Sequence, residues 1–452
     1  MIVLLLILAI AFGIFYSILT LSISGIFKFF LAAIEMLLVG QFLIWRYKLT
    51  GEHGLILLKS KRGLELINKI AKHEQVWKFF SDAGTVVSYG LLSLVITKKN
   101  VSIKGFVSGI ALISILFFVV APFVLPFLVS VIGISVLEHG AVQQVGDTNI
   151  LAIISIILLY AGGFFTLLLA SIIGYGTFIL SALLSTLLHG TQAIAKTSPG
   201  ATFLLPGVNI PFWEGIAALV VILIVHEGAH AVLARIARIP VLSSGVVLFG
   251  ILPIGAFVEP DEEKLKKLEQ TKQTRVLIAG SMANLLTSII FFVLFIGLFF
   301  TTAQYREEGL LVTSGMEKNT VIHAVNGQQI DIKNFEKLDL PKNSEVKLDT
   351  NKGEITRKTN EEGKLGITIR PITRDSIFGV YNSGVLQFIY MLLGLTFALN
   401  FVIGTVNLLP LPFFDGYRTL EINIQNKHIV KSLMAITLAA FLVNFLPWFF
   451  RG

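Results

Sequence analysis

His226-Glu227-Gly228-Ala229-His230 is the stretch of this sequence whose residue types and spacing most clearly allow chemistry. Residues four apart share one face of a helix, so His226 and His230 can present two imidazoles to one metal ion, with the Glu227 carboxylate beside them as a base. With only 8 histidines in 452 residues, composition alone gives such a pattern roughly once per hundred chains of this kind. A buried helix with two hydrogen-bonded histidines is the competing explanation. That explanation must also account for three ionisable side chains at the end of the apolar run Ala218 to Val225, where each is costly unless it serves a function. A catalytic zinc takes three protein ligands and keeps one position open, so the two histidines need a third partner. The chain has no cysteine, which leaves His, Asp or Glu. His53, His73, His323 and His428 fall in polar segments, while His139 and His189 stand near the ends of apolar runs, as interfacial side chains do. Asp415 is the better candidate, since it sits in the apolar stretch Asn407 to Gly416, where Pro410 and Pro412 break regular helix. An exposed Phe-Asp-Gly turn is its alternative reading.

These residues need elements to hold them, and the composition says what kind. The chain is 54% hydrophobic and 14% charged, with a mean hydropathy of +0.81. That is the signature of a polytopic α-helical membrane protein. The net charge of +8 is spread over short segments that flank apolar runs, so it reads as membrane topology and not as a nucleic-acid surface. The apolar N-terminus has no basic leader or cleavage pattern and reads as a retained helix. Residues 2–20 and 25–45 form a helical hairpin. The stretch Arg46 to Lys78 reads as an amphipathic segment on the cytoplasmic surface, with Leu64, Ile67 and Ile70 at helical spacing. Gly84 to Thr97 is a short apolar run, spanning or re-entrant, and residues 103–135 and 150–188 are each long enough for one tilted helix, the second, interrupted by Gly162-Gly163 and Gly174-Tyr175-Gly176, with room for two.

The helix Pro211 to Ala237 carries both histidines towards its Arg235/Arg238 end, and a Gly-punctuated β-rich stretch, Val241 to Val258, follows it. A further helix is expected over 276–301. Short alternating strands at Leu310–Thr313, Val321–Val325, Glu345–Leu348 and Lys364–Ile369, with turns at Asn326-Gly327 and Asn351-Lys352-Gly353, indicate a small β-rich domain outside the membrane. Helices over 384–406 and 429–447 close the chain.

HExxH in one membrane helix and NLLPLPFFDG in a later one resemble the paired signatures of the site-2 protease family of intramembrane zinc metalloproteases. Gly255 to Asp261 and Ala279 to Asn284 are similar to further family segments, and the β-rich insertion around Val325-Asn326-Gly327 is similar to the family's PDZ domain. The resemblance covers about 200–420 and is nearest to the larger archaeal members with extra N-terminal helices. It implies Zn2+ held by His226, His230 and Asp415, with Glu227 as catalytic base, Asn407 holding substrate backbone, and 241–258 as a β-loop whose strand edge pairs with unwound substrate. The implied organisation is 1–200 N-terminal helices, 201–302 first part of the catalytic core, 303–375 PDZ-like domain, and 376–452 second part of the core. The implied activity is cleavage of peptide bonds in or near transmembrane segments. Its partners are a membrane-protein substrate and the lipid bilayer, with no nucleic acid, in the plasma membrane of an archaeon. A transporter or channel whose intramembrane His/Glu/Asp cluster binds an ion in transit is the alternative; no inverted repeat supports it.

The basic run Lys264 to Arg275 predicts the cytoplasmic side, with 303–375 opposite. In a chain without cysteine, Gln270→Cys is expected to react with an impermeant maleimide only from the cytoplasmic face of sealed vesicles; reaction from the outer face reverses the topology.

Overall fold

The structure is a computed structural model that describes residues 2–21, 23, 25–60, 63–96, 101–132, 148–202, 204–317, 319–330 and 340–450. His139 lies outside the described residues. By chain contacts the molecule divides into two compact units, Met1–Ile290 with Leu395–Gly452, and Phe291–Gly394.

The first unit is helical. A hairpin of α1 (Ile2–Thr20) and α2 (Gly25–Tyr47) leads into β1 (Gly51–Glu52), β2 (Leu55–Ser60), α3 (Gly63–Ile70) and α4 (Glu74–Tyr89). The short α5 (Ser93–Ile96) follows, then α6 (Ile103–Ser114), a π-turn segment over 115–120, α7 (Ala121–Ile132) and α8 (Thr148–His189). Gly163 breaks α8 with φ 66°, as the paired glycines predict, whereas the interruption expected at Gly174-Tyr175-Gly176 is absent and the helix runs through it, since single glycines are tolerated within a helix. After α9 (Ala193–Lys196) come α10 (Phe212–Ile236), β3 (Val241–Phe249), β4 (Leu252–Pro260), α11 (Glu262–Lys266) and α12 (Gln270–Thr301). Among the described residues nine helical stretches are long and apolar enough to cross a membrane, and the protein is a multi-pass integral membrane protein. The apolar run at Gly84 is the second half of one such stretch, Glu74–Ile96. Its charged Asp82 is tolerated because Arg275 of α12 pairs with it at 2.8 Å.

The second unit holds a six-stranded antiparallel sheet of β5 (Gly309–Ser314), β6 (Val321–Val325), β7 (Gln328–Gln329), β8 (Glu345–Thr350), β9 (Gly353–Lys358) and β10 (Thr368–Ile372). Its order is β10-β5-β6-β8-β9, with β7 beside β6, and its core is Leu310, Val312, Ile322, Val325, Val346 and Leu348. The strand expected over 364–369 instead begins at Thr368, since Gly363 and Gly366 take φ of 80° and 66° and keep the preceding chain irregular. α13 (Gly384–Val406), α14 (Asp415–Asn423) and α15 (Lys427–Val443) complete the chain.

The basic segment after Arg46 is only partly helical: residues 55–60 form β2, which pairs antiparallel with β3 from Leu55↔Phe249 to Ser60↔Ser244. The expected β-loop is therefore a four-stranded sheet, β1-β2-β3-β4. A single six-residue strand has no partner-specific local signal, and the basic residues around it read equally as a surface helix. Lys59 of β2 reaches Glu259 of β4 across β3 at 3.1 Å, and the Ser243 hydroxyl together with Lys59 holds the Glu259 carboxyl below its usual range. At the other end of the sheet the β3–β4 turn rests on α2. A Cβ on Gly250, whose φ is 61°, would lie 2.7 Å from the Met36 carbonyl oxygen, so only glycine permits this approach. Met36 is buried there with Phe15, Ala32 and Leu252.

Addition of β2 fills the outer edge of β3 and leaves β4 as the free edge beside α10. Leu57 N–H bonds Thr50 O at 2.7 Å, so by alternation the Ile56 and Leu58 amides face β3. Val258 N–H points away from β3, and Ala256, two residues earlier, faces the same free side. Native-state hydrogen exchange is expected to show Ile56 and Leu58 amides at least about tenfold slower than that of Ala256. Equal rates at Leu58 and Ala256 would mean that β2 is not part of the sheet.

Candidate metal centre

α10 is helical because its sequence is a long apolar run that starts just after Pro211, a residue suited to a helix start, and ends in a turn at Ala237. Helical pitch then stacks His226 and His230 one turn apart, with ring centroids 4.8 Å apart and planes at 76°. The two Nε2 atoms are 3.2 Å apart. Asp415, the first residue of α14, brings its Oδ2 to 3.3 Å from His226 Nε2 and 3.2 Å from His230 Nε2. All three side chains are at least 85% buried. The structure thus brings together the two histidines and the distant aspartate singled out in the sequence; among the described residues this is the group of His, Asp and Glu side chains able to hold a metal.

Proton assignments show why a cation belongs there. His230 Nδ1 lies 2.7 Å from the Val276 carbonyl oxygen, which only accepts, so Nδ1 carries a proton. In the neutral ring Nε2 then offers a lone pair towards Asp415 Oδ2, an acceptor with no hydrogen-bond partner of its own. Three such atoms at mutual distances of 3.2 to 3.3 Å repel one another unless a metal ion, or a proton on one imidazole, lies among them. Ligands bound tetrahedrally to zinc at about 2.0–2.1 Å are separated by about 3.3–3.4 Å, so the triangle matches one face of that tetrahedron. Gly280 of α12 keeps the site open: a Cβ there would lie 2.4 Å from His230 Nε2 and 2.6 Å from His226 Nε2. The residues present fit a metal ion.

The second layer comes from α12 and was not assigned a role from the sequence. Asn284 is fully buried, with its amide 3.1 Å from His226 Nδ1 and its Oδ1 otherwise without a partner. The amide Nδ2 faces Nδ1; the opposite amide orientation, with Oδ1 towards the ring, would accept from Nδ1–H and leave Nε2 free to bind metal. The signal that could have found it is its place in the segment Ala279 to Asn284 noted above. Val276 O has no sequence signal at all, since any residue supplies a carbonyl.

Glu227 turns aside from the triangle. Its Oε2 accepts from Val258 N–H of β4 at 3.2 Å, which puts the carboxylate between the histidine pair and the free strand edge. The approach of Asp415 depends on the break after α13. Gly416 N–H donates to the Asn407 carbonyl at 2.8 Å, and a Cβ on Gly416 would lie 2.0 Å from the Leu408 carbonyl oxygen. Phe413 takes φ 72°, a left-handed turn that aims the chain back into α14. Asn407 thus holds this turn through its backbone; its side chain makes no hydrogen bond among the described residues.

A helical membrane core enclosing a buried His-His-Asp triad with a glutamate beside it defines a class of membrane-embedded metal-binding protein. The model of peptidase family M50 matches residues 214–446, just over half of the 452 residues, and the chain belongs to that family, the site-2 protease family. It is also similar to an uncharacterized protein of Methanocaldococcus jannaschii, 32% identical over 243 residues, which cover 51% of this chain and 62% of that relative. The chain therefore spans less than two thirds of the curated relative it matches.

Two substitutions in α12 test the second layer without touching a ligand. Asn284→Ala is expected to weaken metal binding about 10- to 100-fold, and Gly280→Ala to lower metal content by intruding on both Nε2 atoms. Chelator competition with elemental analysis reads both, and wild-type affinity in the two variants rules out the arrangement.

Proposed function

We propose that this protein is an intramembrane zinc metalloendopeptidase that hydrolyses peptide bonds in or near the transmembrane segments of membrane-protein substrates. The observation that carries the proposal is the His226-His230-Asp415 triangle with Glu227 adjacent to it, within a chain of peptidase family M50. His226, His230 and Asp415 are the zinc ligands in this reading. Bound zinc supplies Lewis acidity, which makes water acidic near neutral pH and polarises a carbonyl. Glu227 takes the proton of the attacking water on its carboxylate and returns it to the departing amide nitrogen. Its hydrogen bond to Val258 N–H keeps it at the junction of triangle and strand edge before substrate arrives.

A peptide bond must leave its helix to be attacked, because a helical carbonyl is already hydrogen-bonded and shielded by side chains. The free edge of β4 offers unpaired backbone groups to a substrate segment that has unwound, and strand addition there would lay it alongside Glu227. The Asn407 side chain, which makes no hydrogen bond within the described chain, serves as a further contact to substrate backbone. The bilayer is the second partner, and the β-rich unit is PDZ-like in this reading.

Glu227→Gln keeps size and hydrogen bonding but removes the base. It should lower cleavage of a model transmembrane substrate about 10²–10⁴-fold with zinc content unchanged. Asp415→Ala should lower both zinc and cleavage, while Asp375→Ala, remote in sequence from every site residue, leaves both as in wild type. Full zinc occupancy and normal cleavage by Asp415→Ala would remove Asp415 from the metal shell, and normal cleavage by Glu227→Gln would remove Glu227 from the chemistry.

A further inference from the structure

A cavity of about 270 Å³ opens where the start of α4, the end of α10 and the start of α12 meet. Its wall contains four cations, Lys78, Arg238, Lys272 and Arg275, against one carboxylate, Glu74, with Leu233 among its apolar residues. Three of the cations have partners: Lys78 pairs with Glu74, Lys272 with Glu269 at 3.3 Å, and Arg275 with Asp82 at 2.8 Å. Of the three acids only Glu74 lines the cavity. Arg238 makes no ion pair among the described residues and is exposed.

Positive-inside topology accounts for basic residues near helix ends, but not for two features here. The first is Arg238 itself. It follows the last turn of α10 with φ 61°, the left-handed position past a helix end that glycine or asparagine normally takes. An arginine there carries a backbone strain that glycine avoids, so topology, which any nearby basic residue could serve, does not explain it. The second is the placement of Lys272 and Arg275 in the opening turns of α12, where cations oppose the helix dipole. An anion held among them relieves that opposition.

We propose that this cavity is a binding site for a phosphate group. The Arg238 guanidinium, which has no ion-pair partner among the described residues, with the Lys78 and Lys272 ammonium groups beside it, matches the charge and several acceptor oxygens of phosphate, while Arg275 is held by Asp82. At about 270 Å³ the space lies below the usual range for drug-sized ligands, which suits a phosphate with a small substituent, such as a lipid headgroup or a small phosphate ester. The site adjoins the metal centre through both of its walls. Leu233 lies three residues beyond His230, and Arg275 immediately precedes Val276, whose carbonyl oxygen holds His230 Nδ1. The binding inference does not depend on the protein being a protease.

The full chain in detergent is titrated with inorganic phosphate against chloride of equal ionic strength, and the thermal midpoint is followed. The wild type should show a saturable rise. Arg238→Gly removes the cation and also the backbone cost, so its midpoint without phosphate should equal or exceed that of the wild type, while its phosphate affinity falls at least about tenfold, as expected for losing a charge-assisted contact. Lys272→Gln should weaken the response in the same direction. A parallel titration in discs of phosphatidylcholine alone, or with phosphatidylglycerol, distinguishes the source: loss of the phosphate response in the anionic discs assigns the site to a lipid headgroup, and an unchanged response assigns it to a soluble phosphate. Absence of a saturable response in the wild type, or an Arg238→Gly protein that responds as the wild type does, overturns the proposal.

Discussion

Three nitrogen and oxygen atoms packed within 3.3 Å of one another inside a helical protein form an arrangement that needs positive charge, a metal ion or a proton, among them to be stable. The surrounding structure can be understood as the means of holding that arrangement. Val276 O fixes which nitrogen of His230 is free, the Asn284 amide orients the His226 ring through Nδ1, and Gly280 leaves room where any side chain would intrude. All three lie in one helix, α12, within nine residues. The apolar contacts that seat α10 against it, through Val232, Leu233, Ala229, Val276 and Ala279, therefore set the metal geometry as well as stability.

The aspartate arrives from a different part of the chain by a different device. An unbroken helix would carry residue 415 onward in the direction of α13, away from the histidines. Proline at 410 and 412 ends the backbone ladder, Phe413 reverses the chain, and the hydrogen bond from Gly416 N–H to Asn407 O closes the turn. Asp415 then begins a new helix, where a carboxylate is also favoured by the dipole. The β-sheet is anchored with similar economy. Its two outer turns sit on the N-terminal hairpin, with Gly250 N–H bonded to Gly54 O at 3.1 Å and Gly250 packed on Met36. The N-terminal hairpin is thereby tied to the strand that carries Val258, the partner of Glu227, and so to the site.

Much of this was legible in the residues themselves. The mean hydropathy and the apolar runs gave the membrane class, because a span of about 20 apolar residues has few other uses. The break in α8 was visible at Gly162-Gly163, and the turns at Asn326-Gly327 and Asn351 to Gly353 were visible from residues that accept positive φ. The strand assigned to 364–369 was displaced because alternation alone did not reveal that Gly363 and Gly366 would both take left-handed angles.

What the sequence by itself determined is whatever depends on neighbours within a turn or two: that His226 and His230 share a helix face, that Glu227 stands beside them, and that regular helix cannot pass Pro410 and Pro412. What only the tertiary structure decided is partner choice between distant segments. Asp415 meets His230 across 185 residues, β2 meets β3 across a similar distance, and Asn284, Val276 and Arg275 acquire their roles from which helix lies opposite. The physical reason is that periodicity and turn chemistry are written in single residues and their near neighbours, whereas a strand edge, a buried carbonyl or a lone pair is complementary to many possible partners until packing selects one.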